Sequence, residues 1–303
     1  MAVTAQMVKN LREQTGVGMM DCKKALAETN GDMESAVDWL RKKGLASASK
    51  KAGRVAAEGK VVTASSGTVG ILLEVNSETD FAAKNEKFIA FAQTSAELAL
   101  QNKCSEIDAL RGLPFPGTER TAEEELNHQI ATIGENMNLR RVTCLEVSQG
   151  MVSSYIHMGG KIGVLVGLES GSGDSAALAE LGKKIAMHVA ASAPPYLDRG
   201  SVPAADLDRE KNVLSEQARA SGKPENIIEK MVEGRINKFY GENCLLEQAF
   251  VMDPDQKVID VVKAAAKELD TQIDITGFSR FVLGDGIQKR EDDFASEVAK
   301  QVG

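Results

Sequence analysis

Two stretches of this chain repeat one pattern. The first, EGKVVTASSGTVGILLEVNSETDFAAKNEKFIAFAQTSAELA, covers 58–99; the second, QGMVSSYIHMGGKIGVLVGLESGSGDSAALAELGKKIAMHVAAS, covers 149–192. Each reads as a strand, a glycine-bearing turn, a second strand and a long helix. Each gains a further strand downstream, RRVTCLEV for the first and GFSRFVLG for the second. The helix faces agree in kind, with Phe88, Ala92, Ala96 and Ala99 at helical spacing in one and Leu181, Ile185, His188 and Val189 in the other. In the first copy another helix intervenes, opened by a Thr121–Glu124 capping box and carrying Leu126, Ile130, Ile133 and Met137. Two copies are too few for a solenoid. The pattern predicts an α+β fold with two repeated half-domains, each a three-stranded antiparallel sheet with helices on one face.

The flanks read differently. At the start, Thr4 caps a helix carrying Met7, Val8 and Leu11, and TGVGMM breaks it. Asp21 lies at the start of a second helix with Cys22, Ala25 and Leu26 in line, stopped by Gly31. Asp32 caps a third, with Ala36, Val37 and Leu40 inward and Gly44 at its end. This unit resembles a ubiquitin-associated-type three-helix bundle, whose usual contact surface is the loop after the first helix. At about 45 residues it is expected to be marginally stable by itself. KKGLASASKKAGRVAAEG follows and reads as a solvated linker, in part helical, or as a small nucleic-acid patch at Lys50, Lys51 and Arg54. The second half-domain is interrupted by two helices joined at SGKP, where Gly222 stops one and Pro224 opens the next. Leu207 and Leu214 on one arm can face Ile228, Met231 and Val232 on the other, which predicts a projecting antiparallel coiled coil. EDDFASEVAKQVG closes the chain as a short amphipathic helix with Phe294, Val298 and Val302 in line. The expected units are thus 1–54, the bundle and linker; 55–148, the first half-domain; 149–198 with 237–284, the second; 199–236, the inserted hairpin; and 285–303, a C-terminal helical module.

Composition narrows the function. A net charge of -8 argues against bulk nucleic-acid or anionic-membrane binding, and 4% aromatics leaves little for base-stacking platforms. No apolar window is long enough to span a membrane, and the N-terminal residues lack a signal core, so the cytoplasm is the expected location. Cys22, Cys104, Cys144 and Cys244 form no C-x-x-C and read as small buried hydrophobes. His128, His157 and His188 have no metal-ligand spacing, and there is no G-x-S-x-G, P-loop or G-x-G-x-x-G. A binding role without covalent chemistry is expected, and the chain is not read as an enzyme.

The joint between strand and helix in the first copy, VNSETDFAAKN, holds the sharpest question. The second copy has LESGSGDSAALA there, so the shared pattern does not require an aromatic. Phe81 is either the first core residue of its helix, on the azimuth of Phe88 behind a Ser77–Asp80 capping box, or a side chain aimed outward. Glu78 and Asp80 could instead mark a metal-dependent hydrolase, although acidic residues at a helix start are more often a solvated cap.

LREQTGVGMMDCKKALAETNGDMESAVDWLRKKG, TDFAAKNEKF, HMGGKIGVLV, AMHVAAS, GKPENIIEKMVEGRINKFYGE and TGFSRFVLGDGI, in that order, resemble the bacterial elongation factor Ts family over nearly the whole chain. That resemblance implies a guanine-nucleotide exchange factor that meets elongation factor Tu in its GDP-bound and nucleotide-free forms. It implies no cofactor, no metal, no direct nucleic-acid contact and no membrane. By position, Thr79, Asp80 and Phe81, with Ala82 beside them, would enter the partner near its bound magnesium and disturb it. Arg12, Met19, Met20 and Lys23 of the bundle would meet the partner's nucleotide domain, as would the chain's end, and His157 with its MGGK turn would meet another partner domain. Asp80 could compete for ordering contacts there or cap its own helix. Met19 and Met20 could be contact or half-buried core, and His157 strand face or interface donor. The hairpin could touch the partner, stiffen its domain, or pair two copies into a homodimer within a 2:2 complex. A ubiquitin-associated-type scaffold with no exchange activity is the alternative; it accounts for the bundle but not for the repeat.

Overall fold

The computed structural model describes residues 3–171, 175–220 and 224–288. Helix α1 (Ala5–Thr15) starts at Thr4, whose hydroxyl accepts the Met7 N–H, and ends at Gly16 with φ 67°. Helix α2 (Met19–Glu28) begins directly behind Gly18, with Asp21 in its first turn. Helix α3 (Met33–Lys51) starts at Asp32, whose carboxylate accepts the Ser35 N–H. The three close on Leu11, Cys22, Leu26, Ala36 and Leu40. Gly44 does not end α3: the helix runs on through half of the expected linker to Lys51.

Strands β1 (Glu58–Ser66) and β2 (Val69–Ser77) form an antiparallel hairpin. A single helical turn, α4 (Asp80–Ala83), precedes α5 (Glu86–Gln101) and the short α6 (Ile107–Arg111). Helix α7 (Ala122–Ile133) carries the Thr121–Glu124 capping box. It stops at Gly134 (φ 91°), so Met137 opens strand β3 (Met137–Glu146) instead of extending the helix. Next come β4 (Gly150–His157), β5 (Ile162–Ser170) and α8 (Ser175–Ser192). Helices α9 (Ala204–Arg219) and α10 (Glu225–Asn243) form the hairpin; α10 continues unbroken past 236. A small β6 (Ala249–Phe250) and β7 (Asp253–Lys257) pair lies before α11 (Val258–Glu268) and β8 (Ile273–Val282). The joint at Gly222 and the expected tail helix with Phe294, Val298 and Val302 lie outside the described residues.

Two antiparallel three-stranded sheets result, ordered β1-β2-β3 and β4-β5-β8. One face of the first is covered by α5 and α7, with Phe88, Phe91 and Ala92 against Ile71, Leu73 and Val75. One face of the second is covered by α8, with Leu181, Ile185 and Val189 against Val164, Val166 and Leu168. The remaining faces meet each other through Val61, Leu72, Val147, Val152 and Leu165. Burial on both sides explains why β2 and β5 read as continuous apolar runs rather than alternating ones. Gly163 permits the approach: a Cβ there would lie 2.5 Å from Val61 Cγ1.

Glu74 is the one charge in the β2 run, and it is fully buried. Its carboxylate accepts from Arg140 (2.9 Å), Arg141 (2.6 Å), Asn76 (3.0 Å) and the Gly284 N–H (2.9 Å). Burial pushes its pKa up, but the Gly284, Asn76, Arg140 and Arg141 bonds outweigh it and hold the carboxyl below its ordinary value. It thereby ties the first sheet to the residues just past β8.

The hairpin arms meet through Leu214, Ala218, Ile228 and Ile236, with Leu207 and Val232 only half-buried. The narrow seam is what two amphipathic helices without a third layer can bury.

Candidate functional site

The direction of Phe81 is decided by its neighbours. In a one-turn helix, two of four side chains face inward, and in α4 these are Ala82 and Ala83, each 5% exposed. Asp80 and Phe81 take the outer side, and Phe81 is 80% exposed. The chain then breaks at Lys84, and Asn85 caps α5 afresh by accepting the Lys87 N–H at 2.9 Å. Phe81 and Phe88 therefore belong to different helices and share no azimuth; Phe88 is fully buried while Phe81 stands clear.

The expected Ser77–Asp80 capping box does not form. The cap is Thr79, whose hydroxyl accepts the Ala82 N–H at 3.2 Å, and Ser77 Oγ donates to the Thr79 carbonyl at 2.9 Å. Asp80, freed of capping, accepts from Lys84 Nζ at 2.6 Å, and that hydrogen bond holds its carboxyl below its ordinary range. Lys84 Nζ also lies 5.7 Å from the centre of the Phe81 ring. The outer side of the turn thus presents an aromatic ring flanked by an exposed ion pair.

Beneath it the joint is firmly held, by residues that the sequence reading missed. Thr79 N–H and Oγ1–H both donate to Glu135, at 2.9 and 2.7 Å. The Asn136 N–H donates to Glu78 at 2.5 Å, and Arg54 reaches the same carboxylate at 3.3 Å. Asn136 Nδ2 in turn donates to the Arg54 carbonyl at 2.8 Å. Glu78 and Asp80 are engaged separately, and among the described residues no group of three His, Cys, Asp or Glu could hold a metal ion. The hydrolase alternative has no geometric support.

The other expected residues lie apart from this turn. Met19 and Met20 are 55% and 75% exposed, with Lys23 beside them on the outer side of α2. The inward side of α2 is Cys22, Ala25 and Leu26, so the two methionines are not core. Arg12 is exposed on α1. The loop between α1 and α2 faces the first turn of α5, since a Cβ at Gly16 would lie 3.3 Å from Lys87 Nζ. His157 is exposed at the end of β4, its Nδ1 2.9 Å from Tyr155 Oη. The Met158–Gly160 turn after it is held by β1, with Val61 N–H donating to the Gly160 carbonyl (2.8 Å) and Lys60 Nζ to that of Gly159 (2.9 Å). Because Glu58 of β1 pairs with Ser77, this turn flanks the end of the hairpin from which Thr79–Ala82 emerges.

Burial pushes all four thiols up, and Cys22, Cys104 and Cys244 are enclosed while Cys144 is half-buried. No helix among the described residues is long and apolar enough to cross a membrane.

Residues 78–285 match the family model described as Elongation factor TS. The chain is 66% identical to an elongation factor Ts of Magnetococcus marinus over 302 residues, covering 100% of this chain and 99% of that protein. It is 54% identical to one of Syntrophotalea carbinolica, covering 99% of each. It is 53% identical to one of Rhizobium meliloti, covering 99% of this chain and 98% of the other.

Proposed function

This chain belongs to the elongation factor Ts family, and we propose that it serves that family's role, nucleotide exchange on elongation factor Tu, through the turn Thr79–Ala82. It is a guanine-nucleotide exchange factor of translation elongation. Exchange makes and breaks no covalent bond, so neither nucleophile nor general base is needed. What is needed is differential binding: a factor that favours the partner's empty state weakens nucleotide by the same ratio as nucleotide weakens the factor. Accelerating release by about 10⁴-fold requires lowering its barrier by roughly 5.5 kcal/mol.

The observation that carries the reading is that Phe81 stands 80% exposed on a turn whose base is bonded to the α7–β3 connection and to Arg54. A phenyl ring held this way is a stiff apolar wedge with little rotamer entropy to lose on docking. It enters an apolar cleft of the partner beside its magnesium and phosphates. Asp80 brings negative charge to that pocket and disfavours retention of the phosphates; reaching it requires release from Lys84, an exposed pair worth little. Arg12, Met19, Met20 and Lys23 contact the partner's nucleotide domain, the exposed methionines giving an adaptable apolar surface. His157 and the Met158–Gly160 turn meet a second partner domain.

The finer architecture belongs to the same reading. The α1–α3 unit is a ubiquitin-associated-like bundle, the two sheets with their helices are copies of one half-domain, and the boundaries fall near 54, 148 and 198. The factor works in the cytoplasm and meets its partner in GDP-bound and nucleotide-free forms. Reciprocity supplies the test. Titration of the complex with GDP should dissociate it, and the loss of affinity for the factor should equal the factor-induced loss of affinity for GDP. A complex equally tight with saturating GDP overturns the exchange mechanism.

A further inference from the structure

The wedge is only as useful as the accuracy with which it is held, and the means of holding it lies outside the turn. Two consecutive residues at its base, Glu78 and Thr79, face two consecutive residues of the α7–β3 connection, Glu135 and Asn136. The bonding is reciprocal. Thr79 gives its N–H and hydroxyl proton to the Glu135 carboxylate, and Asn136 gives its N–H to the Glu78 carboxylate. Each segment therefore satisfies a backbone donor of the other with a charged acceptor, the stronger class of hydrogen bond. Thr79 Oγ1 uses its proton toward Glu135 and a lone pair toward the Ala82 N–H, so the same atom links the clamp to the first turn of α4. The turn itself is too short to fix its own direction, having four residues and no side-chain contact across a second turn.

We propose that Glu135 is a positioning residue for exchange: it touches neither nucleotide nor partner, and sets the direction of Phe81 by holding both donors of Thr79. The inference rests on the wedge reading of Phe81 and adds to it the residue, 56 positions away in sequence, that makes the wedge rigid. Glu78 with Asn136 is the second half of the clamp, and Arg54 braces that half from the end of the linker.

The experiment measures the maximal rate of fluorescent-GDP release from elongation factor Tu with the full chain, Glu135→Ala, Glu135→Gln, Phe81→Ala and the Phe81→Ala/Glu135→Ala double variant, each checked by thermal melting. Glu135→Ala should slow the maximal rate about tenfold, the scale at which small misplacements act. Glu135→Gln should stay within about threefold of the parent: its amide oxygen accepts one Thr79 donor and its NH₂ donates to the hydroxyl, which turns to accept. In the Phe81→Ala background, Glu135→Ala should change the rate by less than about twofold, because its effect passes through a ring no longer present. A parent-like rate for Glu135→Ala overturns the inference. So does an equal loss in both backgrounds, which means a direct contact or a general defect, or a Gln variant as slow as the Ala variant, which means the charge itself is used. Should Glu135→Ala fail to melt cooperatively, Glu135→Asp, with a shorter arm, takes its place and should be slowed only where Phe81 is present. A parent-like rate for Phe81→Ala is a different failure, since it removes the wedge reading itself.

Discussion

The molecule contains two strand-to-helix joints at corresponding places in its two sheets, β2 to α4 and α5, and β5 to α8. At the first, the strand ends at Ser77, and the chain makes a clamped turn that puts Phe81 80% into solvent. At the second, Ser170 is buried and the Gly171 carbonyl accepts from Gln149 Nε2 at 2.8 Å before α8 begins at Ser175. The nearest large apolar side chains on either side, Leu168 and Leu178, are in the core. A three-stranded sheet with a helix across it is thus achieved without an outward aromatic. The outward ring at the first joint is therefore not required by the sheet-and-helix pattern that the two regions share.

The sharpest way to break the comparison is to exchange which phenylalanine is lost. Phe88→Ala should cost roughly 3–5 kcal/mol of stability, because the ring is fully buried against the first sheet, and the folded fraction should still exchange. Denaturant unfolding followed by an activity assay normalised to folded protein measures both. A parent-like stability would mean that α5 packs otherwise.

A smaller effect separates the first joint from the second sheet. Glu74→Ala leaves Arg140 and Arg141 without their shared carboxylate and the Gly284 N–H without its acceptor. Both arginines keep some solvent, so the loss should be about 2–3 kcal/mol, below that of a wholly enclosed pair. Urea unfolding reads it directly, and a loss under about 0.5 kcal/mol, the scale of a bland surface change, would deny Glu74 its role between the sheets.

Both regions should respond to mild acid, each through one histidine whose pKa is lowered by burial. His188, on the buried side of α8, accepts the Val251 N–H on Nδ1 and pairs with Gln248 Oε1 through Nε2, so the proton sits on Nε2. Burial holds its pKa below the ordinary 6.5, only partly countered by the Gln248 bond. The folded state therefore binds fewer protons than the unfolded one, and stability present above pH 6.5 is lost as pH falls below it. His128 shifts the same way, by burial and then Arg120. Glu74, with a depressed pKa, loses its contribution only below its ordinary 4.5. Urea midpoints should therefore fall between pH 7 and 5 with a slope reduced in His188→Asn; an unchanged slope in that variant would mean His188 does not titrate in this window.

The smallest expected change is in stability at the first joint itself. Asp80→Asn removes an exposed pair with Lys84 and no cap, so thermal melting should not move measurably, whereas a clear drop would restore Asp80 to a capping role.

Much of the fold was legible in local patterns: the caps at Thr4 and Asp32, the capping box at Thr121, and the strands of both sheets. What was not legible depended on contacts between distant segments. Gly44 reads as a stop, yet a glycine costs a helix only about 1 kcal/mol, and α3 packs there against Ala131 of α7. The break between α4 and α5 was visible in Asn85, a good cap followed by Glu86, but was masked by the helical spacing of Phe81 and Phe88. The stacking of the two sheets was signalled by the consecutive apolar residues Ile71, Leu72 and Leu73 of β2, which a sheet solvated on one face would not carry. Glu135 had no local signal at all, since its partner Thr79 is 56 residues earlier.

One comparison decides whether the exposed ring acts on the partner's nucleotide: single-turnover release of fluorescent GDP from elongation factor Tu at saturating parent chain and at saturating Phe81→Ala. Release should slow by about 100-fold with Phe81→Ala, the cost of losing a central hot-spot ring, while the melting temperature stays put. Equal release rates for the two proteins, or a large drop in melting temperature with exchange preserved, would contradict the outward wedge.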